Sequence, residues 1–154
     1  MASGAELSAQ GWFRLMVQSR LAPGLRGYGF IGSGHTFRAS IDGYYAQVTL
    51  QQANAASTSY VRFTADLSVV RRNEWDEQLR VRPYYGSRPQ PSAPGWSARI
   101  GELISVGGFP IGEMWWELDA GRPFESLADE VVSAVRWYGL PAMMEQIASA
   151  RRGH

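Results

Sequence analysis

Two stretches decide the fold: Tyr44-Tyr-Ala-Gln-Val-Thr-Leu-Gln-Gln52 and Tyr60-Val-Arg-Phe-Thr-Ala-Asp-Leu-Ser-Val-Val70. In the second, Val61, Phe63, Ala65, Leu67 and Val69 alternate with Arg62, Thr64, Asp66 and Ser68. In the first, Ala46, Val48 and Leu50 alternate with Tyr45, Gln47, Thr49 and Gln51. Successive strand residues point to opposite faces, so each stretch reads as a strand with one apolar and one polar face. One-sided burial of this kind belongs to antiparallel sheets.

Working outward, Asp42-Gly43 precedes the first stretch and marks a hairpin with a strand over His35–Ser40, preceded by a short run at Gly29–Ile31. On the N-terminal side, Trp12, Phe13, Met16, Val17 and Leu21 have helical spacing within Leu7–Leu21. Pro23-Gly24 either ends that helix or starts a further turn to Leu25. On the C-terminal side, a short helix or turn is expected over Asn73–Leu79, then strands near Arg99–Ser105 and Met114–Leu118. Ser126-Leu-Ala-Asp129 has the form of a capping box, opening a helix with Leu127, Val131, Val135 and Tyr138 inward. Gly139 and Pro141 are expected to stop it, and a last helix carries Met143, Met144 and Ile147. The expectation is a single α+β domain over 1–154. Its antiparallel or mixed sheet has four to six strands, with an N-terminal helix and two C-terminal helices on one face. Residues 82–96, with Pro83, Pro89, Pro91 and Pro94, read as an irregular loop containing a PxxP match.

Composition removes whole classes of chemistry. All 15 basic side chains are arginine, and neither lysine nor cysteine occurs among the 154 residues. Schiff-base and Walker-type lysines are therefore excluded, as are thiolate nucleophiles and thiolate metal sites. His35 and His154 are the only imidazoles, so no three-histidine metal site can form and no metal or cofactor is expected. A net charge of +1 argues against nucleic acid as a partner. No apolar run is long enough to span a bilayer, and the first ten residues lack the pattern of a signal peptide. A cytoplasmic location and a GC-rich bacterial genome are the matching expectations.

Leu25, Tyr28-Gly29-Phe30, Phe37, Gln51, Phe63-Thr64, Leu67, Arg99-Ile-Gly-Glu-Leu103, Trp115-Trp116 and Gly139-Leu-Pro141 span most of the chain. In these residues the sequence resembles a bacterial family catalogued as domain of unknown function 4304. The resemblance implies an α+β fold and supplies no catalytic residues to transfer. The chain departs from that family in lacking a lysine after the Gly29-Phe30 step and in its proline-rich stretch.

Gly27-Tyr-Gly-Phe-Ile-Gly32 matches the dinucleotide fingerprint formally, but a helix precedes it and strands follow, the reverse of what pyrophosphate binding needs. His35, on a strand face with Phe37, is expected against the core or at a cavity edge. The polar sheet face gathers Tyr45, Gln47, Thr49, Gln51, Arg62, Thr64 and Asp66. An ordinary solvated face is the competing reading. Of Trp115 and Trp116 one must leave the core, and Trp116 is taken for the rim of that face. Arg99 and Glu102 are expected to pair across a turn. The leading functional reading is a binding domain that uses the polar sheet face and the proline-rich stretch to hold a small molecule or protein partner, with Tyr45, Gln47, Gln51, Arg62 and Trp116 as contacts. A homodimer is one arrangement open to it. The rival is a small metal-independent acid-base enzyme, of a kind found in specialised metabolism, using His35, Asp66 or Glu102 for proton transfer.

Overall fold

The protein is described from a computed structural model covering residues 7–53, 59–81 and 95–152. Helix α1 (Ala9–Met16) continues through a π turn (Val17–Leu21) into α2 (Ala22–Arg26). Strands β1 (Ile31–Ser33), β2 (Thr36–Ile41), β3 (Tyr44–Gln52) and β4 (Tyr60–Arg71) follow as an antiparallel meander. Next come α3 (Arg72–Val81), β5 (Trp96–Arg99), α4 (Ile100–Leu103), and the two-stranded hairpin β6 (Ser105–Val106) and β7 (Phe109–Pro110). Strand β8 (Trp116–Asp119) returns to the sheet, and α5 (Glu125–Ala134), a π turn (Val135–Gly139) and α6 (Leu140–Arg152) complete the order. The six-stranded sheet runs β1-β2-β3-β4-β5, with β8 also on β4, and every pairing is antiparallel.

The alternation read from the sequence sets the register. Ala46↔Val69, Val48↔Leu67 and Leu50↔Ala65 are cross-strand partners, and these side chains are buried with Val61 and Phe63 in one apolar cluster. Helices α1 and α5 and the C-terminal α6 add Phe13, Val131 and Met143 to it. Phe63 is fully buried between Phe13, at 5.0 Å between ring centroids, and Trp116, at 5.5 Å. The Asp42-Gly43 turn has φ of 50° and 87°, as a I′ hairpin requires.

Several elements differ from expectation for identifiable reasons. Pro141 does not stop the C-terminal helix, nor does Pro23 stop the first. In each case a π turn precedes the proline, with Ala22 N–H donating to Val17 C=O and Leu140 N–H to Val135 C=O, five residues back. Ala9, Phe13, Val17, Leu21 and Leu25 are all buried, as are Val131, Val135, Gly139, Met143 and Ile147. Residues spaced by four drift about 40° per step around an α-helix. The wider π turn takes up that drift and holds each row on the core. Tyr138, expected inward, is consequently exposed, and Met144 is exposed beside the buried Met143. Helix α5 begins at Glu125 with Phe124 as its cap residue, so Ser126 lies inside the helix and the capping box is not formed. Strand β1 starts at Ile31, later than the Gly29–Ile31 run. Gly34 and His35 form the turn after it, Gly34 at φ 67°, so β2 starts at Thr36. The stretch read as a strand over Arg99–Ser105 is the end of β5 followed by α4. The proline-rich segment, apart from Gly95 and Trp96, lies outside the described residues. No helix among the described residues is long and apolar enough to cross a membrane.

Replacing Phe63 by Ala removes a fully buried ring and is expected to cost about 3–5 kcal/mol in urea unfolding. Ser40→Ala, at an exposed strand position, should stay within about 0.5 kcal/mol.

Candidate functional site

Strand β4 spans twelve residues and its outer edge is divided between two short partners. β5 pairs with Asp66–Val69 and β8 with Tyr60–Phe63. Between Arg99 and Trp116 the chain leaves the sheet and comes back to the same edge. The excursion is pinned near its base by a close approach: Gly112 N–H donates to Gly101 C=O at 3.0 Å, and a Cβ on Gly101 would lie 2.0 Å from Gly112 O. No side chain fits at Gly101. Where β5 ends, Thr49, Asp66, Ser68, Ser97, Arg99 and Glu102 line a cavity of about 240 Å³ on the sheet face opposite the main core.

This face is not a plain solvated surface. Gln47 and Thr64 are each only 1% exposed. Gln47 Nε2 donates to Thr49 Oγ1 at 3.3 Å, which brings the amide beside the cavity wall, while its Oε1 is buried without a hydrogen-bond partner among the described residues. Asp66 Oδ1 is in the same condition: Arg99 Nε stands 3.4 Å away as an ion pair, without making a hydrogen bond. Burial raises the Asp66 pKa above the ordinary carboxylate value. The Arg99 guanidinium lowers it in part, and the Glu102 carboxylate adds to the rise. Arg99 also reaches Glu113 at 3.8 Å, and its guanidinium and that of Arg62 lie 5.7 and 5.8 Å from the Trp115 ring centroid. Two charged forks over one indole give the rim a cation-π contact on each side chain.

The expected site residues divide. Gln47, Asp66 and Glu102 come together at or beside the cavity, with Arg62 above it against Trp115. Glu102 accepts from the Arg99 backbone N–H at 2.7 Å, so its bond with Arg99 is a helix-start contact and the Arg99 guanidinium is left for Asp66 and Glu113. Tyr45 is on the same face near the other end of β3, approached by Arg38 at 4.5 Å and Arg72 at 5.7 Å, and Gln51 is exposed opposite Thr64.

His35 is elsewhere. It is exposed in the β1–β2 turn and stacks on Phe13, which packs against Phe63, so it stands on the core side of the sheet rather than with Asp66. A separate groove of about 200 Å³ holds it with Gln10, Arg14 and Gln18. Trp116 is 5% exposed and faces the core, because its register partner is Phe63. Trp115 is the indole at the rim. Ser68, Ser97 and Trp115 were not singled out as contacts from the sequence. The Ser68↔Ser97 pairing that brings two of them together depends on β5 docking beside β4.

With its pKa raised on folding, Asp66 takes up protons more readily in the folded state than in the unfolded chain. Stability is therefore expected to fall as pH rises from the unfolded value, about 3.9, through the folded one, and to level off above it. Asp66→Asn should abolish this slope and raise the melting temperature at neutral pH, with no gain in acid. Thermal melts across that range measure it.

No curated protein and no solved structure matches the sequence. A family model described as a domain of unknown function, DUF4304, matches residues 21–145, from the first π turn to the middle of α6, and includes every cavity-lining side chain named above. On that match the chain belongs to the DUF4304 domain family.

Proposed function

We propose that the domain binds a small polar molecule that carries hydrogen-bond donors, held in the cavity at the split edge of β4. The carrying observation is the pair of buried acceptors, Gln47 Oε1 and Asp66 Oδ1, without hydrogen-bond partners among the described residues. A buried polar atom without a hydrogen bond costs roughly 1–3 kcal/mol, a cost the Arg99 ion pair offsets only in part at Asp66, so donors supplied from the cavity are favourable for both atoms. Amines, amidines, primary amides and polyols meet that demand. Thr49, Ser68 and Ser97 offer hydroxyls for the remaining polar atoms, and Arg99 fixes the carboxylate end. At about 240 Å³ the cavity is below the usual drug-sized range, which favours a compact ligand. A bacterial cytoplasmic setting, expected from composition, belongs to the same proposal.

One observation favours a second reading, acid-base catalysis. Asp66 combines a raised pKa with a cavity and a cation alongside, the environment in which a carboxyl exchanges protons nearer neutrality. In this reading Asp66 is the proton-transfer group, Arg99 orients the substrate, and His35, on the other side of the sheet, plays no part.

A thermal-shift screen with small amines, amides and polyols tests both. A ligand present at 100 times its Kd should stabilise by about 2.7 kcal/mol. Asp66→Asn and Arg99→Ala are expected to lose the shift while His35→Ala keeps it. A shift that survives both cavity variants refutes the placement. Turnover of a bound compound that disappears in Asp66→Asn would favour the second reading.

A further inference from the structure

The excursion between β5 and β8 has a second side. Hairpin β6–β7 turns at Gly107-Gly108 and carries Val106 and Phe109, which are 68% and 77% exposed. Beside it the C-terminal π turn presents Trp137 at 66% exposure, with Tyr138 and Ile111 also exposed. Between them lies an apolar groove of about 350 Å³ lined by Ile104, Ile111, Met114, Ala134 and Trp137, with Trp116 at its floor. Aromatic side chains carry 150–250 Å² each, so these five exposed residues together present roughly 600 Å² of largely apolar surface. That is the upper end of what a monomer leaves open.

We infer that this face is the contact of a two-fold homodimer, in which Phe109 of each copy enters the groove of the other. Three observations point to a second copy as the occupant. A projecting apolar knob and an apolar hole sit side by side on one face, the arrangement that a two-fold contact needs, because each copy then gives and receives the same insertion. Two such faces present about 1,200 Å² to bury at full closure, which reaches the lower bound for a specific interface. Charge of both signs flanks the face, with Glu130 at the groove and Arg136 lying 4.7 Å over the Trp137 ring, and a net charge of +1 puts little repulsion between copies. Residues 100–114 contribute to both the polar cavity and this groove, through Glu102 on one side and Ile104, Ile111 and Met114 on the other.

Sedimentation equilibrium of the full chain up to about 100 µM is the test, since an interface at the lower bound of the specific range is expected to associate in the micromolar regime. The wild type is expected to be a dimer. Phe109→Asp, which removes the knob, and Ser133→Arg, which blocks the groove from its exposed rim, should each weaken association at least tenfold, and Phe109→Leu should retain it. Both altered positions are solvent-exposed, so melting temperatures of the separated monomers should match, and circular dichroism checks that they fold. A chain that stays monomeric throughout overturns the inference. So does a dimer indifferent to both substitutions, an open-ended series of larger species, or a monomer whose exposed face takes up only a different protein.

Discussion

Strand β4 is hydrogen-bonded on both edges, by β3 along one side and by β5 and β8 in succession along the other. Its alternation divides the molecule. Val61, Phe63, Ala65, Leu67 and Val69 feed the main cluster, and Arg62, Thr64, Asp66 and Ser68 face the other way. A slip of one residue would exchange the two sets, burying a carboxylate among phenyl rings and exposing Phe63, so the apolar demand of one face fixes the position of Asp66 on the other. The cavity inherits its geometry from that constraint. Asp66 meets Arg99 because Leu67, its neighbour, pairs with Ala98.

Two π turns serve the same core from above. A proline lacks the N–H that would bond four residues back and its ring crowds that carbonyl. Placing an i+5 bond just before Pro23 and Pro141 widens the helix where the crowding would fall, so the helical path continues in both places. The rows of buried residues at intervals of four then stay over the sheet. Gly24 and Val132 mark how close the two helical paths come, since a Cβ at Gly24 would lie 2.9 Å from a Val132 methyl.

The meander was legible because period-two alternation is local, and β3 was read with the boundaries it has. The π turns were visible only as a spacing of four with a proline near it, a pattern that also reads as a broken helix. Ile100–Leu103 reads as strand because its few apolar residues suit either element, whereas the helical turn is closed by Glu102 accepting from the Arg99 N–H, a contact that strand spacing does not reveal. Of the site, the polar face of β3 and β4 could be read, including Gln47 and Asp66. Its burial could not, since that depends on elements distant in sequence. The parity of the tryptophan pair was likewise undetermined until Trp116 had Phe63 as its register partner. His35 lies one position before the strand in which it reads, in the Gly34-His35 turn, and there it stacks on the core residue Phe13, on the side its expected face requires.

The divided edge of β4 also bears on how such a domain can change over evolutionary time. β5 and β8 are each held by four register pairs of their own, and the residues between them leave and rejoin the same strand. An insertion or deletion beyond the Gly101–Gly112 clasp, at the hairpin tip, would leave both short strands in register and the core untouched. Changes of length there would alter the apolar face, while those next to the clasp, where Glu102 follows Gly101, would reshape the cavity wall. The architecture thus separates what must be kept, the pairing along β4, from the residues between the two short strands, which can diversify without disturbing it.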